Sequence, residues 1–186
     1  MLANLRALFG VFVDIMLLKR GPEELPASRL LLTVLVALNI VLYSIAGSVL
    51  APPTGVKAPD PWLVQIAGIA LILGWFRVAF LAVRKPERYV QTMIAVFGVN
   101  LLSLPVFPLF AALAPYIEQK PGGEPAPAVL QLLVLAITFW VAAVVVRIVK
   151  VAFDWSWFVA ILFMVSSSFC IATLLGLLFG ATLKPG

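Results

Sequence analysis

Five runs of about twenty apolar residues govern what this chain can become: Leu30 to Leu50, Trp62 to Val83, Val90 to Leu113, Val129 to Val149 and Trp157 to Phe179. About twenty such residues is the length at which a helix crosses the ~30 Å hydrocarbon core of a bilayer. No water is at hand there to pair a bare N–H or C=O, so a spanning segment must be a helix or belong to a closed barrel. Barrel strands run roughly ten residues and alternate in polarity; these runs are longer and do not alternate. Composition agrees, with 63% hydrophobic and 11% charged residues, where a soluble domain carries about 25% charge. The sequence therefore predicts an all-α, polytopic membrane helix bundle of five transmembrane helices. Residues 1–29 would form a cytoplasmic interfacial segment, 30–182 the transmembrane domain and 183–186 a short outer tail.

The connections are of two kinds. Ala51 to Pro61 and Ile117 to Pro127 are rich in proline and glycine, and proline removes a donor and clashes with the preceding turn, so both read as loops. Arg84 to Glu87 and Lys150 to Asp154 are tight and charged. Leu2 to Leu18 has no small-residue cleavage site after it, which argues against a signal peptide. Arg6 and Asp14 would each cost about 2.5–3.5 kcal/mol near the bilayer centre, which argues against a span. An interfacial helix is expected there. Asn4, Arg6, Asp14, Lys19 and Arg20 do not share one helical face, which leaves part of it to pack on the bundle.

Charge sets the orientation. Of thirteen basic residues, Arg6, Lys19, Arg20, Arg29, Arg77, Arg84, Lys85, Arg88, Arg147 and Lys150 fall on one side, against Lys57, Lys120 and Lys184 on the other. The positive-inside rule then places the N-terminus and both tight loops in the cytoplasm, and the Pro-rich loops and C-terminal tail on the outer side of the membrane. Anionic headgroups at the cytoplasmic face are the expected partners, at roughly 1 kcal/mol per basic residue. Nucleic acid is not, since no basic run comes with an aromatic stacking platform in a polar domain.

Little chemistry is on offer. The chain has no histidine and a single cysteine, Cys170, which removes His-based acid–base catalysis, most zinc sites and any internal disulfide. Ser166, Ser167 and Ser168 have no base along their helix. No catalytic residue, metal or cofactor is expected. Arg77 is the one charged residue set deep in a run, seven residues before Arg84 and so about 10 Å deep; it either snorkels to the headgroups or holds an anionic ligand. Asn100, Ser103, Pro105 and Pro108 crowd the end of the third run, where proline either kinks the helix or frees carbonyls that could hold an ion. In the fifth run Ser168, Ala172, Gly176 and Gly180 recur every four residues, with Ala70 and Gly74 as a complement in the second. Such stripes let helix backbones approach closely, within the bundle or between two copies.

The lead-in RGPEELPAS (Arg20 to Ser28), the segment RKPERYVQTMIAVFGVNLLSLP (Arg84 to Pro105) and the closing small-residue-rich run resemble the bacterial members of the Yip1-like membrane proteins. The likeness covers most of the chain and rests on topology and loop character. The acidic-aromatic Asp-Leu-Tyr-Gly-Pro signature of the eukaryotic branch is absent, so GTPase binding and vesicle trafficking are not implied. For the bacterial branch the resemblance implies an inner-membrane protein with no catalytic residues. The function expected from all of this is a non-catalytic bundle that organises the membrane or binds a protein partner, which could be a second copy of itself. The alternative is a small transporter or channel subunit working as an oligomer, which would need a polar path through Arg77 and the Asn100 region. A lipid-modifying enzyme has almost nothing to catalyse with.

Overall fold

The computed structural model describes residues 2–50, 60–106 and 128–179, and every regular element among them is helical. Six α-helices follow in order: α1 (Leu2–Met16), α2 (Arg29–Leu50), α3 (Pro61–Ala82), α4 (Tyr89–Ser103), α5 (Ala128–Phe153) and α6 (Trp157–Phe179). Short 3-10 turns occupy Pro22–Glu24, Pro86–Arg88 and Leu104–Val106. Four helices, α2, α3, α5 and α6, are long and apolar enough to cross a membrane. The chain is a helical bundle of membrane-protein character.

Polar side chains start these helices. Ser28 Oγ accepts from the Leu31 N–H at 3.2 Å, Asp60 Oδ1 from the Trp62 N–H at 2.9 Å, and Ser156 Oγ from the Val159 N–H at 3.3 Å. Each pairs one of the four donors that a helix N-terminus leaves open. Pro61 at the first position of α3 loses nothing by lacking an N–H.

The ends of α1, α3 and α5 share one motif. Leu18, Arg84 and Asp154 have φ of 60°, 58° and 58°. Each donates its N–H to the carbonyl three back, and the next residue reaches five back: Lys19 to Asp14, Lys85 to Phe80 and Trp155 to Lys150, at 2.8, 3.0 and 3.0 Å. This is the Schellman arrangement, usually built on glycine because left-handed backbone crowds a Cβ. Here none of the three is glycine. After α1 and α3 the motif leads into a Pro-Glu 3-10 turn, Pro22–Glu24 and Pro86–Arg88.

The third expected span, Val90 to Leu113, is described only in its first part. α4 has 15 residues, roughly 22 Å at 1.5 Å per residue, and stops at Ser103. Pro105 has no N–H to give the Leu101 carbonyl; the Leu104 N–H takes it instead and tightens the chain into a 3-10 turn. The rest of the expected run, with Pro108, lies outside the described residues. Yet α4 is the axis of the bundle. Thr92 through Val99 are all buried, with no face left over, because α1, α2, α3 and α5 surround it. The outer helices turn large apolar groups outward, among them Val129, Phe139, Phe158, Phe169 and Leu177.

α1 is seated on this axis. Phe12 and Ile15 are buried in the core, while Phe9 and Leu17 stay exposed. The Phe12 ring lies directly over Gly98 of α4, where any Cβ would collide with it. Trp140 of α5 donates its indole N–H to the Met16 carbonyl at 3.0 Å. Arg20 spans back to Asp14 at 3.0 Å and forward to Glu24 at 2.9 Å, fixing the turn from α1 into α2.

Candidate functional site

The three Schellman turns come together at one end of the bundle, and Asp154 is the knot. Its position just past α5 aims the carboxylate at the α3–α4 turn. Lys85 Nζ meets Oδ2 at 2.5 Å and Arg88 Nη1 meets it at 2.9 Å. The same two cations satisfy carbonyls at the end of α5: Lys85 donates to Phe153 at 3.1 Å, and Arg88 to Ala152 at 3.3 Å. Cations are favoured at a helix C-terminus, where carbonyls lack intrahelical donors. The Lys85 ammonium, and Arg88 beside it, hold the Asp154 carboxyl below the ordinary aspartate range. Beneath the charges the rings of Phe80, Phe153 and Trp155 stack at 4.1 and 4.4 Å, with Phe163 packed edge-on against Trp155.

A cleft of about 260 Å³ opens beside this cluster, walled by Glu23 from the first 3-10 turn, Arg88, Gln91 and Thr92 from the start of α4, and Val151 and Asp154 from the end of α5. Gln91 holds the turn in place: its Nε2 donates to the Leu25 carbonyl at 2.8 Å. Thr92, buried, donates its hydroxyl to the Arg88 carbonyl at 2.8 Å. Among the described residues no group of three or more His, Cys, Asp or Glu side chains is placed to hold a metal ion.

A second polar feature runs between α2 and α4. Asn39, 2% exposed, gives Nδ2 to the carbonyls of Leu35 at 2.8 Å and Phe97 at 3.1 Å. One turn on, the Tyr43 hydroxyl donates to the Asn100 carbonyl at 2.8 Å. Both clip α2 to the last turns of α4, and hydrogen bonds of this kind are worth about 0.6 kcal/mol each in a bilayer.

The residues singled out from sequence separate. Arg77 is exposed on α3 with its guanidinium carbon 5.4 Å from the centre of the Tyr89 ring, a cation–π contact of about 0.5–1 kcal/mol. Tyr89 in turn donates its hydroxyl to the Leu73 carbonyl at 3.0 Å. Asn100 sits eleven residues further along α4, roughly 16 Å away along the axis, so Arg77 and the Asn100 region do not form one path. Ser103 donates its hydroxyl to the Val99 carbonyl at 2.9 Å, and Pro105 lies in the 3-10 turn. Ser168, Ala172 and Gly176 all face outward, as do Ala70 and Gly74. A Cβ on Gly74 or Gly176 would meet nothing within 4 Å. Packing of this stripe inside the bundle is therefore corrected: α6 meets its neighbours through the adjacent face, with Ala160 and Ser167 buried and Phe163 against Phe76 at 5.4 Å. Gly180 lies outside the described residues.

The Asp154 knot and the cleft were not singled out from sequence. The signal available was chemical: one acidic residue, Asp154, ends a tight connection opened by Lys150, and a second tight connection carries Arg84 and Lys85 with Arg88 just after it. No family model, no curated protein and no solved structure matches the chain.

Proposed function

We propose that this chain is a non-catalytic, multi-pass protein of the bacterial inner membrane that crosses five times, with its N-terminus in the cytoplasm and its C-terminus in the periplasm. α4 and the chain after it make the third crossing, and α1 lies at the cytoplasmic interface with Phe12 and Ile15 anchored in the bundle. Its work is to organise the surrounding membrane or to dock a partner through the charged end. The observation that carries this reading is the gathering of the α1–α2, α3–α4 and α5–α6 turns at one end, locked by Lys85, Arg88 and Asp154. Seven residues of that end, Lys19, Arg20, Arg84, Lys85, Arg88, Arg147 and Lys150, are basic, as positive-inside sorting requires of a cytoplasmic face. The likeness of layout to bacterial Yip1-like proteins supports the same placement.

Reporter fusions test it. Fusions within Pro121 to Pro125 and after Gly186 should report from the periplasm, and one in the Lys85–Glu87 turn from the cytoplasm. A cytoplasmic signal after Gly186 overturns the five-crossing count. Purification from native membranes in mild detergent should then bring down a stoichiometric protein partner or a discrete set of lipids.

A further inference from the structure

We propose that Arg147 and Lys150, one turn apart near the end of α5, form a discrete site for the phosphodiester of an anionic, phosphatidylglycerol-type membrane lipid. The inference rests on the reading above only in placing this end of the bundle at the headgroup level. A contrast among cations carries it. Four basic side chains among the described residues are half-buried, Lys85, Arg88, Arg147 and Lys150, and the rest are exposed. Lys85 and Arg88 share Asp154 and donate to carbonyls at the end of α5. Asp14 and Glu24 are taken by Arg20. Arg147 and Lys150 make no ion pair and donate no side-chain hydrogen bond to any described residue. Between them they hold five guanidinium and three ammonium N–H donors open, and cations at membrane depth are costly unless something pairs with them.

Position selects the ligand. α5 ends at Phe153, which sets Lys150 about 4.5 Å and Arg147 about 9 Å short of that end at 1.5 Å per residue. The Lys150 ammonium lies 5.7 Å from the centre of the Trp157 ring. Trp157 is exposed at the start of α6, and tryptophan so placed marks the headgroup level. Arg147 lines a shallow crevice between α5 and the turn after α1, walled by the buried Ile15, Gly21 and Pro22, and no carboxylate lines it. Arg20 stands at the same crevice, already shared between Asp14 and Glu24. At a spacing of three residues Arg147 and Lys150 are neighbours on the helix surface, with about 5–6 Å between Cβ atoms. One phosphate group bridges such a gap, giving two oxygens side by side to the guanidinium and another to the ammonium. A zwitterionic headgroup brings its own cation to the phosphate. A phosphatidylglycerol headgroup leaves its charge to the two side chains.

The test uses the full chain in nanodiscs containing equal parts of phosphatidylglycerol and phosphatidylethanolamine, with the lipid retained after gentle release counted by native mass spectrometry. Retention of phosphatidylglycerol should exceed that of phosphatidylethanolamine by about 25-fold, a factor of about five for each open cation that meets an anionic headgroup. Arg147→Gln and Lys150→Gln should each cut the preference to about fivefold at unchanged helix content, since neither side chain is hydrogen-bonded to another described residue. Arg29→Gln removes an exposed cation at the start of α2 and should leave the preference whole. Equal retention of the two lipids, indifference to both α5 variants, or an equal fall in Arg29→Gln, the mark of a diffuse basic surface, each overturns the site. Free glycerol phosphate added to protein in detergent separates the sources. A thermal shift matching that of dihexanoyl phosphatidylglycerol makes the ligand a soluble phosphate ester and overturns the lipid assignment; a shift with the short-chain lipid alone supports it. Correct topology in the reporter fusions with no phosphatidylglycerol preference removes the site and leaves the membrane reading standing.

Discussion

Gly98→Ala is the substitution that reads most directly on how α1 joins the bundle. In the middle of a helix, alanine is favoured over glycine by about 0.8–1.0 kcal/mol, so on propensity alone the change stabilises α4. The packing points the other way. A Cβ on Gly98 lands on the edge of the Phe12 ring, overlapping three of its carbons. The ring is stiff and 6% exposed, so either its rotamer or the whole of α1 must give. Overpacking of this kind costs about 1–3 kcal/mol. Taking about 2 kcal/mol for the clash and about 1 for the propensity, Gly98→Ala should destabilise by about 1 kcal/mol. With Phe12→Ala already made, the clash is gone and the propensity remains, so the same substitution should stabilise by up to about 1 kcal/mol. The sign inverts, and the coupling between the two sites is about 2 kcal/mol. Four proteins suffice: the parent, both single variants and the double variant, unfolded by SDS in mixed micelles and followed by circular dichroism. An effect of Gly98→Ala with the same sign and size in both backgrounds would refute the seating of α1 on α4.

Three further outcomes follow from the turns and from α6. Arg84→Gly should stabilise by about 1 kcal/mol, because glycine occupies a φ of 58° without the left-handed cost of roughly 1–2 kcal/mol; an unchanged or lower unfolding midpoint would contradict the motif. Asp154 is held below its usual range mainly by Lys85 and further by Arg88, so its contribution is present above the ordinary aspartate value and lost as pH falls through the lowered one. Thermal midpoints should therefore drop on acidification below about pH 4 more steeply in the parent than in Asp154→Asn, and parallel profiles would dismiss the knot. Gly176→Leu should leave the unfolding midpoint of the monomer in detergent unchanged, since nothing lies within 4 Å of its Cβ, whereas Gly68→Leu, 3.7 Å from Leu175, should lower it; a lowered monomer midpoint for Gly176→Leu would place the stripe inside the bundle after all.

Four membrane-length helices could be read directly from hydropathy, because twenty apolar residues have one stable form in hydrocarbon. Which face of each helix turns inward could not. In water the apolar stripe names the buried side; in lipid both sides of α6 are apolar, and that signal vanishes. The stripe Ser168, Ala172, Gly176 shows the consequence, for Ser167, its immediate neighbour and about 100° around the helix, is the residue buried against the bundle. The cleft was hidden for a different reason: Glu23, Gln91 and Asp154 line one cleft only because the turns that carry them lie at the same end of the bundle.

Some polar residues of these runs lie on the inside. The buried polar residues among those described are Asn39, Ser44, Thr92 and Ser167, and each lies on the packed face of its helix. The cause is the cost of an unpaired polar group in hydrocarbon, several kcal/mol, against almost none for turning an aliphatic side chain outward. Thus Asn39 and Tyr43 seek the carbonyls of Phe97 and Asn100, and with them α2 takes its register on α4. Thr92 and Ser167 instead return their hydroxyls to Arg88 and Phe163 of their own chain segments, which quiets the polar group locally and leaves a small side chain at the contact. A buried polar residue in such a run therefore either reaches across or folds back, and folding back also lets Thr33 and Ser166 stay on the exposed side with their hydroxyls bonded to Arg29 and Phe163. Phe158 and Phe169, 74% and 73% exposed, can face the acyl chains because they have no hydrogen bond to lose.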